Sequence, residues 1–485
     1  MKILILQLAR LGDIYLSWPV VRALKRMEPD GEIHMLVRPR FQAACEGLES
    51  VDKIHLFPTE KFVAPLIQEN FSMSESLNSL DQFLDTLAAE KYDRIINLSF
   101  STVSSYITSF LATPETQVSG YTRHRDGYMH LSDDVSRYFW AQVGTGLPNR
   151  LHVMDLLGGV AGVDFRPHDF RLPTVSLEKP IEGSYFVAHI GASEKHKQVP
   201  LDLWSALMLE YQKINPQMKW VLIGSQSESD MARHLISMTS DVGIINKTGQ
   251  TNLGELFGYL QFSCGLLGGD SGPMHMVPFV DQKAFCISAG NVKFWETGPI
   301  TLGSCVYLLD QHTTGSYLAS LVHEWSLEDV QTSDARLYHT VEEVPRYRCS
   351  TKRERKDFSW GLVQAIYMGA SFPVTSDLSF YKACVRMFEA NQVAIENLRK
   401  RDQLKAEMLT SILSRVDEIF LAIIQQEAGL TPLFRWYQAE KTRILPGTFE
   451  LIAQDTLIIH EVFHSLLKKY LLEEDVRRVE ANGSL

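Results

Sequence analysis

The sequence predicts an α/β protein: two successive domains built on parallel sheets, followed by an all-α extension. Three observations predict it. Short apolar runs of strand length alternate with helical periodicity through the first 345 residues. That alternation starts afresh near Tyr185. From Asp377 to Glu427 it gives way to a stretch without proline or glycine, which is helical in character.

The first elements read strand, turn, helix, strand. Lys2–Leu8 is an apolar run of strand length, and Leu11-Gly12-Asp13 follows as a turn. Leu16, Val20, Leu24 and Met27 recur at helical spacing until Pro29-Asp30-Gly31 breaks the pattern, and 33–37 is the next strand. Such a βαβ unit implies a parallel sheet. Strands at 53–57 and 94–98 and a helix around 80–90 continue it. The second series runs through strands at 186–190, 219–223, 243–246, 264–268 and 284–288, with helices at 203–214 and 253–261. Ligands in such sheets bind beyond the carboxyl ends of the strands, here in the loops after Leu8, Ile190, Ile223 and Gly268.

After residue 345 the character changes. Arg346, Arg348, Lys352, Arg353, Arg355 and Lys356 form a basic linker, which reads as solvated or as a contact for anionic lipid or a phosphorylated acceptor. A heptad seam then runs through Tyr381, Val385, Phe388, Gln392, Ile395, Arg399, Asp402, Ala406, Leu409, Leu413, Val416, Phe420 and Ile423. It predicts one long helix that bends at its polar middle. Another helix is expected over 448–474. The expected divisions are thus 1–180, 181–345, a linker at 346–375 and a helical extension at 376–485. The extension is a candidate homodimer element, or it packs on its own chain.

Composition sets the outer limits. A chain of 485 residues suits two or three domains. A net charge of -11 leaves no overall positive field to hold nucleic acid. No apolar run approaches the ~18 residues of a spanning helix, and 3–8 is too short for a signal peptide. The six cysteines are scattered without a CxxC pair, which suits a reducing compartment and argues against a zinc knuckle. Cytoplasm is the expected location.

Four loops are candidates for chemistry. In Leu11-Gly12-Asp13 the glycine permits a tight turn and Asp13 stands at a helix N-terminus, where it is either a cap or a reactive carboxylate. Gly268-Gly269-Asp270-Ser271-Gly272-Pro273-Met274-His275 follows an apolar strand and opens a helix expected to continue through Val277. Backbone N–H groups and the positive end of a helix there suit a diphosphate, with His275 one turn in; a capped helix with a packed histidine is the plain alternative. Gly191-Ala192-Ser193-Glu194-Lys195-His196-Lys197 supplies lysines that neutralise phosphate or simply face solvent. Gly224-Ser225-Gln226-Ser227-Glu228 is a loop after a strand. One further motif, His460-Glu461-Val462-Phe463-His464, matches HExxH, the helical zinc pattern of metallopeptidases. It lacks an evident third ligand, and its neighbours Leu457, Leu466 and Leu467 fit a packed amphipathic helix.

The sequence resembles glycosyltransferase family 9, the ADP-heptose:lipopolysaccharide heptosyltransferases, over roughly residues 1–345. Leu11-Gly12-Asp13-Ile14 with Pro19-Val20-Val21-Arg22-Ala23-Leu24 is similar to the family's N-terminus. His189-Ile190-Gly191-Ala192-Ser193 with Lys197-Gln198-Val199-Pro200 resembles its HPGAS…KRWP segment. Asp270-Ser271-Gly272-Pro273-Met274-His275 is similar to its D[ST]GPMH signature, and Thr297-Gly298-Pro299 to the end of its FGPT…GP loop. Tyr92–Leu98 and Leu151–Asp155 also resemble family segments. Ile190 stands where the family has proline, and Gln198-Val199 where it has Arg-Trp.

The resemblance implies a GT-B fold, two Rossmann-like domains facing across a cleft, with acceptor on the first and nucleotide-sugar donor on the second. It implies an inverting transfer of a heptose or related sugar from an ADP-sugar, with no metal or other cofactor. Asp13 would be the general base and Lys197 the leaving-group contact, with Lys195 as its competitor. Ser193, Glu228, Asp270, Ser271, Gly272 and His275 would bind the donor. Arg123 and Arg125 are candidates for a phosphorylated acceptor. That acceptor would be a lipopolysaccharide core, another glycan or a protein hydroxyl, with the enzyme at the cytoplasmic face of the inner membrane. The alternative is a catalytically idle GT-B scaffold whose helical extension binds a partner.

Overall fold

Four short runs, β1 (Lys2–Leu6), β2 (Glu32–Val37), β3 (Lys53–Leu56) and β4 (Arg94–Asn97), pair in parallel in the order β3-β2-β1-β4. Their register sets Lys2 beside Glu32, Ile3 beside Arg94 and His34 beside Lys53. Residues 3–6 of β1 are fully buried, as expected of a parallel strand covered on both faces. The computed structural model describes residues 1–67, 71–175, 177–192, 194–290, 292–328, 330, 333–351, 357–375 and 377–483, with side chains through 474.

Helix α1 (Leu11–Met27) follows β1. Its first turn is closed by Asp13, whose Oδ2 accepts the backbone N–H of Arg10 at 2.8 Å. Lys25 and Arg26 stand in its last turn, where cations complement the backbone dipole. The face carrying Ile14, Tyr15, Trp18, Val21 and Leu24 is buried.

The chain divides into two compact units, Met1–Ser99 with Arg150–Glu354, and Phe100–Asn149 with Arg355–Leu485. The hairpin β5 (Gln117–Arg123) and β6 (Met129–Leu131) belongs to the second. The first unit also holds an eight-stranded sheet of β7 (Tyr185–His189), β8 (Lys219–Ile223), β9 (Ile244–Asn246), β10 (Leu266–Gly268), β11 (Ala284–Ser288), β12 (Cys305–Leu308), β13 (Leu337–Thr340) and β14 (Tyr347–Cys349). Its order is β14-β13-β12-β11-β10-β7-β8-β9, with antiparallel pairing only at β12-β13-β14. Trp204, Trp220, Trp325 and Phe186 fill its core.

Three expectations change. The segment after β10 is not a continuous α-helix but two short 3-10 turns, Gly272–His275 and Val277–Val280. Pro278 lacks the N–H that an α-helix would direct at Met274, and so stops propagation. The loop after β10 therefore carries no full-length helix dipole. Second, the expected single long helix is two, Leu378–Arg399 and Ala406–Gln426, broken at 400–405. The seam there is polar and has nothing to bury. Third, the basic linker contributes a strand, β14, and a helix, Phe358–Tyr367. Lys352, Arg353, Arg355 and Lys356 lie outside the described residues.

Within the second unit, Arg435 ties the helix Thr431–Lys441 to Asp134–Gln142. It donates to the carbonyls of Ala141 (3.0 Å) and Trp140 (2.7 Å) and stacks over the Trp140 ring. The seam residues Leu409, Val416, Phe420 and Ile423 pack with Met387, Tyr437 and Phe463 of the same chain. No helix among the described residues is long and apolar enough to cross a membrane.

Candidate active site

In the eight-stranded sheet, β7 is flanked by β8 on one side and β10 on the other. The strands are parallel, but the order in which they follow one another reverses there, which opens a crevice at their carboxyl ends. His189, the last residue of β7, stands in it. Its Nδ1 lies 2.9 Å from Ser271 Oγ and its Nε2 3.4 Å from Glu228 Oε1. Glu228 also accepts the Ser225 N–H (2.6 Å) and O–H (2.7 Å). The carboxylate fits only because two neighbours are glycine. A Cβ on Gly191 would stand 1.4 Å from Glu228 Oε1, and one on Gly224 2.7 Å from Oε2. Gly224 also holds φ +153°. Burial alone would raise the Glu228 pKa. The hydrogen bond and charge of His189, with the two Ser225 donors, outweigh it and hold the carboxyl at about 2.

A second cluster surrounds Asp270. Lys197 Nζ donates to its Oδ2 at 3.3 Å, and Thr297 Oγ1 donates to Oδ1 at 2.9 Å. Both partners of the Lys197–Asp270 pair are largely buried, whereas Lys195, on the same short turn, is exposed. The Thr297 loop is anchored in turn by His152. That imidazole accepts the Met154 N–H at Nδ1 (3.2 Å), so Nε2–H donates to the Gly298 carbonyl (3.1 Å). Burial holds His152 at about 4, so it is neutral near pH 7.

Helix α1 brings Asp13 to this crevice. Tyr15 and Trp18 pack against Phe257 and Phe279, with ring centroids 4.9–6.5 Å apart. Arg22 is buried beneath them, stacked on Trp18 and Phe279 and donating to the Arg171 carbonyl at 2.7 Å. This packing presses the start of α1 onto the Gly272–His275 turn. A Cβ on Gly12 would lie 2.6 Å from His275 Cδ2, and one on Gly272 3.0 Å from Leu11 Cδ2. Asp13 is partly exposed. Its Oδ2 takes the Arg10 N–H, and among the described residues Oδ1 makes no hydrogen bond. Burial lowers the pKa of His275 by more than the nearby charges of Asp270 and Asp13 raise it. Arg10 reaches Glu194, in the loop after β7, at 3.4 Å.

Asp13, Lys197, Glu228, Asp270, Ser271, Gly272 and His275 are therefore gathered around one crevice. Ser193 lies outside the described residues. Arg123 and Arg125 belong to the second unit. Arg123 is engaged by Ser105 Oγ (2.9 Å), the Gly127 carbonyl (2.7 Å) and the Tyr106 ring, while Arg125 is exposed on the hairpin. His189, His152, Thr297 and Arg10 received no role from sequence reasoning. The two histidines and the threonine stood inside the family-like segments, which was the signal available.

The HExxH histidines are committed elsewhere. Asn391 donates to the His460 carbonyl (2.8 Å), so its Oδ1 accepts from His460 Nδ1 (2.6 Å), and His460 Nε2 faces the Tyr437 hydroxyl at 3.2 Å. His464 stacks on Phe388 at 4.1 Å.

The profile of glycosyltransferase family 9 (heptosyltransferase) matches residues 163–287. Lipopolysaccharide heptosyltransferase 1 of Campylobacter coli is 21% identical over 313 residues, covering 59% of this chain and 83% of that protein. Two solved structures share the fold. A family 9 glycosyl transferase from Veillonella parvula matches at TM-score 0.50 and 16% identity, over 67% of this chain and 97% of its own. The E. coli ADP-heptose lps heptosyltransferase II matches at TM-score 0.50 and 16% identity, over 68% and 99%. About two thirds of this chain thus shares the two-sheet fold of those enzymes, and the chain also has a helical C-terminal region.

Proposed function

Since the chain carries a glycosyltransferase family 9 domain, matched over residues 163–287, we propose that it is an inverting transferase moving a heptose from ADP-heptose to a hydroxyl of a lipopolysaccharide-core or related envelope acceptor. What supports this reading most is the meeting of Gly12-Asp13 with the Asp270–His275 turn, which sets a carboxylate oxygen beside the candidate donor loops. On this reading residues 1–180 receive the acceptor and residues 181–345 the donor, on the cytoplasmic side of the membrane.

The chemistry follows from the groups present. Asp13 Oδ1 takes the proton of the acceptor hydroxyl as its oxygen attacks the anomeric carbon. The bond from that carbon to the diphosphate breaks, and the electron pair leaves on a phosphate oxygen. Lys197 and the N–H groups at Ser271 and Gly272 stabilise that charge in a partly dry crevice, so the charge balance needs no metal. Asp270 holds Lys197 in position before donor arrives. His189 aims the Ser271 hydroxyl, and Glu228 faces the nucleoside end. His275, kept neutral, presents an imidazole rather than a second cation to the sugar.

The deciding experiment measures ADP release from ADP-heptose with a lipopolysaccharide-core acceptor, together with ADP affinity. Asp13→Ala is expected to lower kcat by roughly 10²–10⁴ while ADP affinity changes little. Full turnover in Asp13→Ala would defeat the proposal.

A further inference from the structure

Far from the loops that carry Asp13 and Asp270, at the amino-terminal end of the first sheet, three buried side chains meet. His34 on β2 and His55 on β3 are diagonal neighbours on one sheet face, because His34 pairs with Lys53. Tyr92, just before β4, closes the group. His34 Nδ1 lies 3.0 Å from His55 Nε2 and 3.1 Å from the Tyr92 hydroxyl, and that hydroxyl lies 3.2 Å from His55 Nε2. His34 is 0%, His55 8% and Tyr92 6% exposed. A Glu90 carboxylate oxygen and one ring nitrogen of each histidine also lie within 4.8 Å of one another.

We propose that His34, His55, Tyr92 and Glu90 form a binding site for a first-row divalent cation, zinc being the best match to two imidazoles, a phenol and a carboxylate. The spacing suits it. Ligands at about 2.0–2.2 Å from a tetrahedral zinc stand roughly 3.3–3.5 Å apart, so the triangle of 3.0, 3.1 and 3.2 Å needs to open by only a few tenths of an ångström.

Proton counting points the same way. Glu32 Oε1 lies 2.7 Å from His34 Nε2 and claims the proton there. His34 Nδ1 is then a lone pair aimed into the triangle. The triangle has three edges, but only Tyr92 and His55 Nε2 can bring a proton to it. One edge is left without its own hydrogen bond, and a cation at the centre would satisfy all three atoms. The Glu32–His34 contact is itself the carboxylate–histidine pairing that orients a metal ligand from outside. The backbone adds to this: Lys91 takes φ 56°, a strained conformation for a residue with a side chain, and the turn it makes brings Glu90 and Tyr92 to the same cluster. Lys2 and Lys53 now hold Glu90. A bound cation would take one carboxylate oxygen from them and complete four ligands. Such an ion would clamp β2, β3 and the turn into β4. Its place, remote from the crevice, gives it a structural task and no part in sugar transfer.

The test uses the full chain, stripped with a chelator and titrated with zinc by calorimetry and with cobalt(II) by absorption. One equivalent is expected to bind. The cobalt(II) complex should show a tetrahedral spectrum, and zinc should raise Tm. His55→Gln should abolish binding. Tyr92→Phe and Glu90→Gln, which leave the strands intact, should each weaken it ten-fold or more, and Glu32→Gln by roughly 10–100-fold. His464→Ala should bind as the parent does. Absence of stoichiometric binding in the parent would overturn the proposal. So would binding that survives Tyr92→Phe and Glu90→Gln unchanged, or that is lost in His464→Ala.

Discussion

Gly12 and His275 meet so closely that residue 12 has no room for a side chain: a Cβ there would stand 2.6 Å from His275 Cδ2 and 3.1 Å from Nε2. The His275 ring is buried and cannot swing away freely. Gly12→Ala should therefore push α1 off the Gly272–His275 turn. Overpacking of this kind costs about 1–3 kcal/mol, readable by urea unfolding, and kcat should fall because Asp13 moves with the helix. Adding His275→Ala should recover part of the lost stability, since the two changes share one collision. A strictly additive double mutant would contradict the contact.

The acid behaviour of Glu228 gives a second prediction. Its folded pKa of about 2 lies below the ordinary 4.5. The carboxylate therefore contributes stability that is fully present above about pH 4.5 and is lost as pH falls towards about 2. Glu228→Gln forfeits that contribution, on the order of 2–3 kcal/mol for a mostly buried group. Parent and variant should differ in urea unfolding near neutral pH and converge as pH drops through that window. A difference that stays constant with pH would show that the lost term is packing rather than charge.

The family resemblance favoured Lys197, with Lys195 as its competitor, and in the structure the two differ in burial and in the contact of Lys197 with Asp270. Lys197→Ala should lower kcat by roughly 10²–10³, the scale of removing one group that stabilises developing negative charge. Lys195→Ala should change it less than about three-fold, as a solvated charge does. Steady-state kinetics with ADP-heptose decides between them. Equal losses in the two variants would mean that the loop rearranges around the donor.

Much of the α/β frame was legible because its signals are local. Ile3–Leu6 is apolar on both faces, Pro29-Asp30-Gly31 ends α1, and glycine follows β7, β8 and β10. Asp13, Lys197, Asp270 and His275 could be named because each stands in the segment that follows the carboxyl end of a strand. The missing parts depend on distant pairings. Nothing in Tyr92 or His55 announces that the turn into β4 and strand β3 will set them beside His34. The joining of Phe100–Asn149 with the C-terminal helices rests on contacts such as Arg435 with Trp140. The run 377–427 read as one helix because it holds no proline or glycine, yet Lys400–Lys405 offers no apolar residue but Leu404 to carry the seam across.

The HExxH match yields the last prediction. His460 is 1% exposed, and both its ring nitrogens are engaged, Nδ1 with Asn391 and Nε2 with Tyr437. A metal would have to break that network, in which the single Tyr437 hydroxyl proton lies between His460 Nε2 (3.2 Å) and Asp417 Oδ1 (2.9 Å). Burial holds the imidazole at about 4, which keeps it neutral near pH 7. His460→Ala should thus act as a core substitution. It leaves a cavity and an unsatisfied Asn391 oxygen, costing on the order of 3 kcal/mol, which thermal or urea unfolding measures. Zinc content should be the same in parent and variant. His464→Ala removes a ring stacked on Phe388 with far less burial, so its cost should be nearer 1 kcal/mol. A loss of stoichiometric zinc in both variants, with stability unchanged, would restore the motif as a metal site.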